Sequence, residues 1–267
     1  MILDEIREHL KKNHQAYLSD LTISNVNVGL YMTAVQLSDG SMGIASAECD
    51  EHIHCKKKDR DYGEFTPLQI QGRKLTDLLD SSKQTALVRT LQVAALNAVS
   101  SAIMKKAEYK ILGNTDPVDL LDLGGEKTIT IVGAFQSYIR RIVATKIQLH
   151  VLEFNEEALL PEHRQFFVPA NDYARVLQIS DIVIITGLTL VNNTLDHLLD
   201  SCRPDATIVV TGPSAGILPD VLFSHNVSLL GATRITKPEL VMPLIGQGAA
   251  GYHLFEYCAE KISIRRK

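Results

Sequence analysis

The eight residues from Glu48 to Cys55, E-C-D-E-H-I-H-C, hold two thiols, two imidazoles and three carboxylates. Thiolates and imidazoles at tetrahedral distances suit zinc or a softer heavy metal. Cys49, His52 and Cys55 stand at i, i+3 and i+6, so a turn or helix would gather them, with Asp50, Glu51 or His54 as a fourth donor. An extended chain would instead throw His52 and His54 to one face and Cys49 and Cys55 to the other. A strong zinc signature pairs two separated ligand couples, and the chain has no second C-x-x-C or H-x-x-x-H. A polar loop with incidental donors is the competing reading of the same residues.

A second set of candidate residues stands where apolar runs end. T-I-T-I-V-G, Q-L-H-V-L-E-F, F-F-V-P, D-I-V-I-I-T-G, T-I-V-V-T-G-P and V-S-L-L-G-A read as strands buried on both faces, which implies a parallel sheet covered by helices. Ligands of such sheets sit beyond the carboxyl ends of the strands, where the strand order reverses. After the first run a dinucleotide fingerprint would read G-x-G-x-x-G; only Gly133 is present, with Phe135 and Tyr138 at the other two positions. A bulky side chain there obstructs a pyrophosphate, which disfavours ordinary NAD as a cofactor. Glu153 nevertheless closes the second run 153 − 133 = 20 residues after Gly133, about where a ribose-binding carboxylate belongs. A solvated strand-end acid is the alternative. T-G-L-T-L-V-N-N-T-L (Thr186 to Leu195) and T-G-P-S-A-G (Thr211 to Gly216) add hydroxyls, amides and backbone N–H groups suited to a polar or anionic small molecule, although Thr, Ser and Gly also serve there as caps and turns. No nucleophile elbow or Walker loop is present, and His225 stands alone.

The elements that must position these residues fall into two halves. Residues 2–17 have apolar positions Ile2, Leu3, Ile6, Leu10 and Tyr17 at helical spacing. V-N-V-G-L-Y-M-T-A-V-Q-L and S-M-G-I-A-S-A flank Ser38-Asp39-Gly40 and predict a β-hairpin with an Asp-Gly turn. A polar loop from Glu48 to Gly63, a short helix over Leu75 to Leu79 and a long Ala-rich helix over Lys83 to Lys106 follow. The turn formers and acids of residues 113–126 predict a link. The expected architecture is therefore α/β: a small α+β domain over residues 1–112, then a Rossmann-like domain over 113–267.

Composition narrows the function classes. The chain of 267 residues is 45% hydrophobic and 22% charged, enough for a sizeable core. A net charge of −4 supplies no field for nucleic acid or an anionic membrane surface. The start of the chain alternates apolar and charged residues, unlike a signal peptide, and no run reaches the roughly eighteen apolar residues of a membrane span. We expect a cytoplasmic protein whose four cysteines stay reduced, and one able to form homo-oligomers through sheet edges and the Ala-rich helix.

The hairpin V-G-L-Y-M-T-A-V, the helix L-Q-V-A-A-L-N-A-V, the link T-D-P-V-D-L-L and the runs T-G-L-T-L-V-N-N-T-L and T-G-P-S-A-G-I-L-P-D-V-L-F resemble the family described as "putative heavy-metal chelation", domain of unknown function 364. The resemblance runs over nearly the whole chain. It implies an enolase N-terminal-like domain, a Rossmann-like domain and an active site in the cleft between them. Carried over residue by residue, that cleft would be lined by Asn97, Asp116, Thr186, Gly187, Thr189, Asn192, Gly212, Pro213 and Ser214. Asn97 lowers helix propensity in an Ala-rich helix, so it is either exposed or hydrogen-bonded across the domain interface. A heavy-metal ion or metal chelate is the implied ligand. Two function classes follow, a cleft-based enzyme or small-molecule binder and a metal-sequestering protein without turnover, with a nucleotide-dependent dehydrogenase as a third that Phe135 and Tyr138 disfavour.

Overall fold

A computed structural model of the chain describes residues 1–47, 61–107, 109–145 and 147–266. Helix α1 (Ile2–Ser19) buries Ile2, Leu3, Ile6, Leu10 and Leu18, the stripe its spacing predicts, with the last position moved from Tyr17 to Leu18. Tyr17 instead donates its hydroxyl to Asp39 at 2.6 Å, tying the helix to the Asp39-Gly40 turn.

The next segment departs from the expected hairpin. Three antiparallel strands form a meander, β1 (Ile23–Val28), β2 (Met32–Leu37) and β3 (Met42–Ser46). The run that reads as one strand is broken at Gly29, whose N–H donates to Met32 O at 2.9 Å. A Cβ at Gly29 would lie 2.4 Å from Ile245 O, so only glycine permits a turn pressed this close to a neighbouring helix. At the second turn Gly40 takes φ +83°, as an Asp-Gly hairpin requires.

Helix α2 (Leu75–Leu79) leads to α3 (Ala86–Met104), whose first turn is capped by the Thr85 hydroxyl accepting from Val88 N at 3.4 Å. By length and composition α3 is apolar enough to cross a membrane, and no other helix among the described residues is. It is a core helix, packed by β2, β3, residues 188–191 and residues 213–215.

The predicted link holds structure. Strand β4 (Ile111–Gly113) begins before it, and a 3-10 turn over Pro117–Leu120 is capped at its N-terminal end, where the Asp116 carboxylate accepts from Val118 N and the Asp119 carboxylate accepts from Asp116 N. Then come β5 (Thr128–Val132), α4 (Gln136–Val143), β6 (Gln148–Glu153), β7 (Phe167–Pro169), α5 (Tyr173–Leu177), β8 (Ile182–Thr186), α6 (Leu188–Val191), α7 (Leu195–Ser201), β9 (Thr207–Thr211), α8 (Pro219–Ser224), β10 (Val227–Ile235), α9 (Pro238–Gly246), α10 (Gly251–Tyr257) and β11 (Ala259–Arg265).

These strands make an eight-stranded sheet in the order β4-β11-β10-β9-β8-β5-β6-β7. The six strands from β10 to β7 are parallel, with a Rossmann-like order that reverses between β5 and β8. The sheet is mixed rather than wholly parallel, because β11 is antiparallel to β10 and β4 to β11. The connection explains this. After β10, helices α9 and α10 stay at its carboxyl end and Ala259 pairs back onto Ile235, so the chain returns without crossing a face of the sheet.

One hydrophobic cluster runs through both halves, joining Leu10, Leu91, Ala95 and Val99 to Ile185, Val210 and Leu222. A second fills the opposite face of the large sheet around Ile131, Ile139 and Val151, and a third seats α9 and α10 on the small sheet around Met32, Ile44 and Ile245. The boundary expected after residue 112 therefore falls within β4, which pairs through Ile111, Leu112 and Gly113 with β11.

Candidate functional site

The switch between β5 and β8 opens a cavity of about 1200 Å³ beyond the carboxyl ends of β5, β6 and β8. Its lining includes Gly133, Glu153, Thr186, Thr189 and Asn192 from the sequence-predicted set. At the end of β5, Gly133 takes φ +102°, and its N–H donates to Leu152 O at 2.9 Å. A Cβ there would come 3.3 Å from the Thr186 side chain, so the left-handed turn and the close approach both favour glycine.

The β8 end is a hydrogen-bonded bracket. Thr186 Oγ1 accepts from Leu188 N at 3.3 Å, Thr189 Oγ1 donates to Thr186 O at 2.6 Å, and Thr194 N donates to Thr189 O at 3.0 Å. The Thr194 hydroxyl donates to Asn192 Oδ1 at 2.7 Å, which leaves the Asn192 amide hydrogens free to serve a ligand. Asn193 holds φ +60°, a conformation asparagine tolerates, and thereby turns the chain from α6 into α7.

Glu153 is half-buried, and its carboxylate organises the loop around it. Oε2 accepts from Ala134 N at 3.1 Å and Oε1 from Phe154 N at 2.7 Å. Phe154, Tyr173, Leu188 and His197 are among the lining residues that the sequence reading missed. Phe154 was discoverable: it is an aromatic residue placed directly after a strand-end acid in an otherwise polar stretch. Among the described residues Glu153, Glu157 and His197 are the acidic and basic side chains lining the cavity, and no Lys or Arg is.

Phe135 and Tyr138, at the two missing glycine positions, stack with ring centroids 5.2 Å apart. The Phe135 ring lies within 3.8 Å of where a Gly133 Cβ would stand and 4.0 Å of where a Gly212 Cβ would stand. It thus spans the ends of β5 and β9. Tyr138 is buried and donates its hydroxyl to Asp116; burial and then the Asp116 charge push the phenol's ionisation well upward. Lys261 holds the other Asp116 oxygen at 2.5 Å. Asp116 therefore clamps the 3-10 turn to α4 and β11, and it does not line the large cavity.

The remaining predicted residues belong to the seam between the halves. Ser214 is 1% exposed, and its hydroxyl accepts from Ser46 N at 2.8 Å. Asn97 is also buried; its Nδ2 donates to Ile44 O at 2.6 Å and to Pro213 O at 3.2 Å. These two acceptors fix the amide's orientation and leave Asn97 Oδ1 without a partner among the described residues. Gly187 N donates to Thr211 O at 2.7 Å, and a Cβ on Gly187 would lie 2.7 Å from Ala215 N. Gly212, at φ +119°, starts the turn that carries Pro213 into the seam. A smaller cavity of about 370 Å³ touches this seam, lined by Asn97 and Pro213 together with Ile44, Thr233 and Ile262. The nine residues expected in one cleft are thus divided: Thr186, Thr189 and Asn192 face the large cavity, Asn97 and Pro213 the small one, and Asp116, Gly187, Gly212 and Ser214 neither.

Family models place the chain. One for DUF364, "putative heavy-metal chelation", matches residues 116–264, and one for DUF4213, with the same description, matches residues 12–100. The chain belongs to the DUF364 family. It is 26% identical over 269 residues to an uncharacterized protein of Methanocaldococcus jannaschii, covering 99% of this chain and 98% of the relative. Its fold is similar to that of a DUF364 protein of unknown function from Pyrococcus horikoshii, with TM-score 0.80, 25% identity and complete coverage of both chains. A DUF364 protein from Desulfitobacterium hafniense superposes with TM-score 0.71 at 17% identity, over 97% of this chain and 99% of the other. The family description raises a heavy metal. Among the described residues no three His, Cys, Asp or Glu side chains come together as a metal site. Cys49, His52 and Cys55 lie outside the described residues.

Proposed function

We propose that this protein binds a small polar organic molecule, uncharged or cationic, in the cavity at the carboxyl edge of β5, β6 and β8. The observation that carries the reading is the cavity's place at the strand-order reversal, with Gly133, Glu153, Thr186, Thr189 and Asn192 converging on it. Charge supports a narrower class than the sequence does. A polyanion would meet Glu153 and Glu157 with no Lys or Arg among the described lining residues to offset them. A neutral ligand, a cation or a metal carried in by an organic chelator avoids that repulsion. Backbone N–H groups and the Asn192 amide supply donors, Glu153 supplies acceptors, and Phe154, Tyr173 and Leu188 supply apolar surface. The chelate is the form in which this reading meets the family description, because the described residues do not fit a metal held by the protein alone.

The test is amide chemical-shift mapping with ribonucleosides, spermidine and the nickel–histidine chelate as probes. Saturable shifts at Thr186, Thr189 and Asn192 are expected for at least one of them. Shifts confined to Ile44 and Thr233 would move the site to the smaller cavity and overturn the reading. Metal sequestration by Cys49, His52 and Cys55 is separable from it. Metal analysis of protein purified without chelator, beside the Cys49→Ser/Cys55→Ser variant, shows whether stoichiometric metal is present and whether those thiols hold it.

A further inference from the structure

Glu153 ends the second parallel strand, adjacent to β5 and 153 − 133 = 20 residues beyond Gly133. Both its oxygens are held by the backbone, Oε2 by Ala134 N and Oε1 by Phe154 N. A carboxylate oxygen accepts two hydrogen bonds, so each keeps one acceptor position, and the group that bears them lines the cavity. Two acceptors on one rigidly held carboxylate match two vicinal hydroxyls, one hydrogen to each oxygen. Beside them Phe154, 75% exposed, presents an aromatic ring on the cavity wall. An aromatic ring next to a diol acceptor suits a base attached to a ribose.

Where a dinucleotide's pyrophosphate would rest, the chain departs from what phosphate binding needs. Close approach of a pyrophosphate to the first βα turn needs glycine at the second fingerprint position. Here Phe135 occupies it, and its ring reaches from Gly133 to Gly212 across the strand ends. Among the described residues the lining has no Lys or Arg to meet a phosphate, and Glu157 adds a second negative charge.

Resting on the assignment of this cavity as the binding site, we infer that the ligand is a ribonucleoside or a 5′-substituted ribonucleoside carrying no phosphate, with its 2′,3′-diol on Glu153 and its base on Phe154, and that Phe135 excludes the 5′-diphosphate. The ligand's 5′ substituent is therefore neutral or cationic.

Calorimetric titration with adenosine, guanosine, cytidine and uridine, alongside amide shift mapping, tests this. At least one ribonucleoside should bind saturably and move the amides of Thr186 and Thr189. Its 2′-deoxy analogue should bind about tenfold more weakly or worse, the expected loss of a charge-assisted hydrogen bond. Its 5′-diphosphate should bind no better than the nucleoside. Phe154→Ala, at a residue exposed enough for its loss to leave folding intact, should weaken binding about tenfold. Phe135→Gly should narrow the gap between diphosphate and nucleoside. Equal affinity for the 2′-deoxy analogue, or tighter binding of the diphosphate by wild type, overturns the inference. So does a result in which spermidine or the nickel–histidine chelate shifts Thr186 and Thr189 and no ribonucleoside does, and that result leaves the cavity assignment standing. Shifts at those amides with none of the probes overturn both.

Discussion

Two strands of the large sheet end in the same dipeptide, Thr186-Gly187 after β8 and Thr211-Gly212 after β9, and the two ends have opposite fates. After β8 the next residues turn back on their own backbone and leave Thr186, Thr189 and Asn192 along an open cavity. After β9 the next residues are consumed by the seam: Pro213 O accepts from Asn97, Ser214 accepts from Ser46 N, and Ser214 and Ala215 are buried. The small sheet and α3 touch both ends, at residues 188–191 after β8 and at residues 213–215 after β9, but they take up the polar groups of the second end only. A strand-end polar residue stays available to a ligand only where the packing partner does not hydrogen-bond it, and that is decided by chain folded from more than a hundred residues away.

The largest test of this contrast is at Gly43, where β3 meets α3. A Cβ there would stand 2.2 Å from Ala94 O and 2.3 Å from Ala98 N, both backbone atoms of a helix that cannot yield locally. Gly43→Val should cost about 3 kcal/mol or more and lower Tm by roughly 6 to 12 °C. Chemical denaturation or a thermal melt reads this directly. An unchanged midpoint would mean that the seam is loose, and the distinction between closed and open strand ends would fail.

Asn97→Ala comes next. It removes the donor shared by Ile44 O and Pro213 O and leaves two carbonyls of the seam short of a partner. A loss of about 2 kcal/mol is expected, moderated because the wild-type Oδ1 is already unpartnered and its removal gives some relief. Adenosine affinity, measured on folded variant, should be unchanged. A variant as stable as wild type that binds adenosine differently would place Asn97 in the site rather than in the seam.

Much of this was readable in the chain, and the failures share a cause. The α1 stripe, the Asp39-Gly40 turn and the apolar runs of β5, β6, β8 and β9 are local patterns, set by spacing within a few residues. Gly29 reads as an ordinary strand residue until Ile245, 216 positions on, is seen to press against it. The antiparallel return of β11 depends on where α9 and α10 pack, which no local period encodes. The site residues follow the same rule. Gly133 and Glu153 were found by their spacing and share one cavity, whereas Ser214 and Asn192, equally polar and equally near strand ends, were parted by long-range packing.

Asn192→Ala probes the open end. The residue is half-buried and, among the described residues, its oxygen accepts from the neighbouring Thr194 hydroxyl alone, so stability should fall by less than about 1 kcal/mol. Adenosine binding should weaken about tenfold, through lost amide donors. The pattern opposes that of Asn97→Ala: one asparagine acts on folding, the other on binding. If calorimetry and denaturation showed the two variants behaving alike, the division of the strand ends into seam and site would be wrong.

The smallest expected effect lies on β6, three residues before Glu153. His150 pairs in register with Thr130, is half-buried, and has an Nδ1 that finds no partner among the described residues. Burial first, and then the positive charge of Arg175, hold its imidazolium below the ordinary histidine range. The unfolded chain therefore binds this proton more readily than the folded one as pH drops below about 6.5. The stability that neutral His150 allows is present above that pH and declines as pH falls toward the folded value. The depressed carboxylate of Asp119, held down first by Arg141, acts in a separate window below about pH 4. Denaturation midpoints between pH 7 and pH 5 should fall for wild type and fall less for His150→Val, with adenosine affinity at pH 7 the same in both. An equally steep fall in the variant would remove His150 as the cause, while altered affinity at pH 7 would show that the body of β6 and its open end are coupled through more than the backbone of a shared strand.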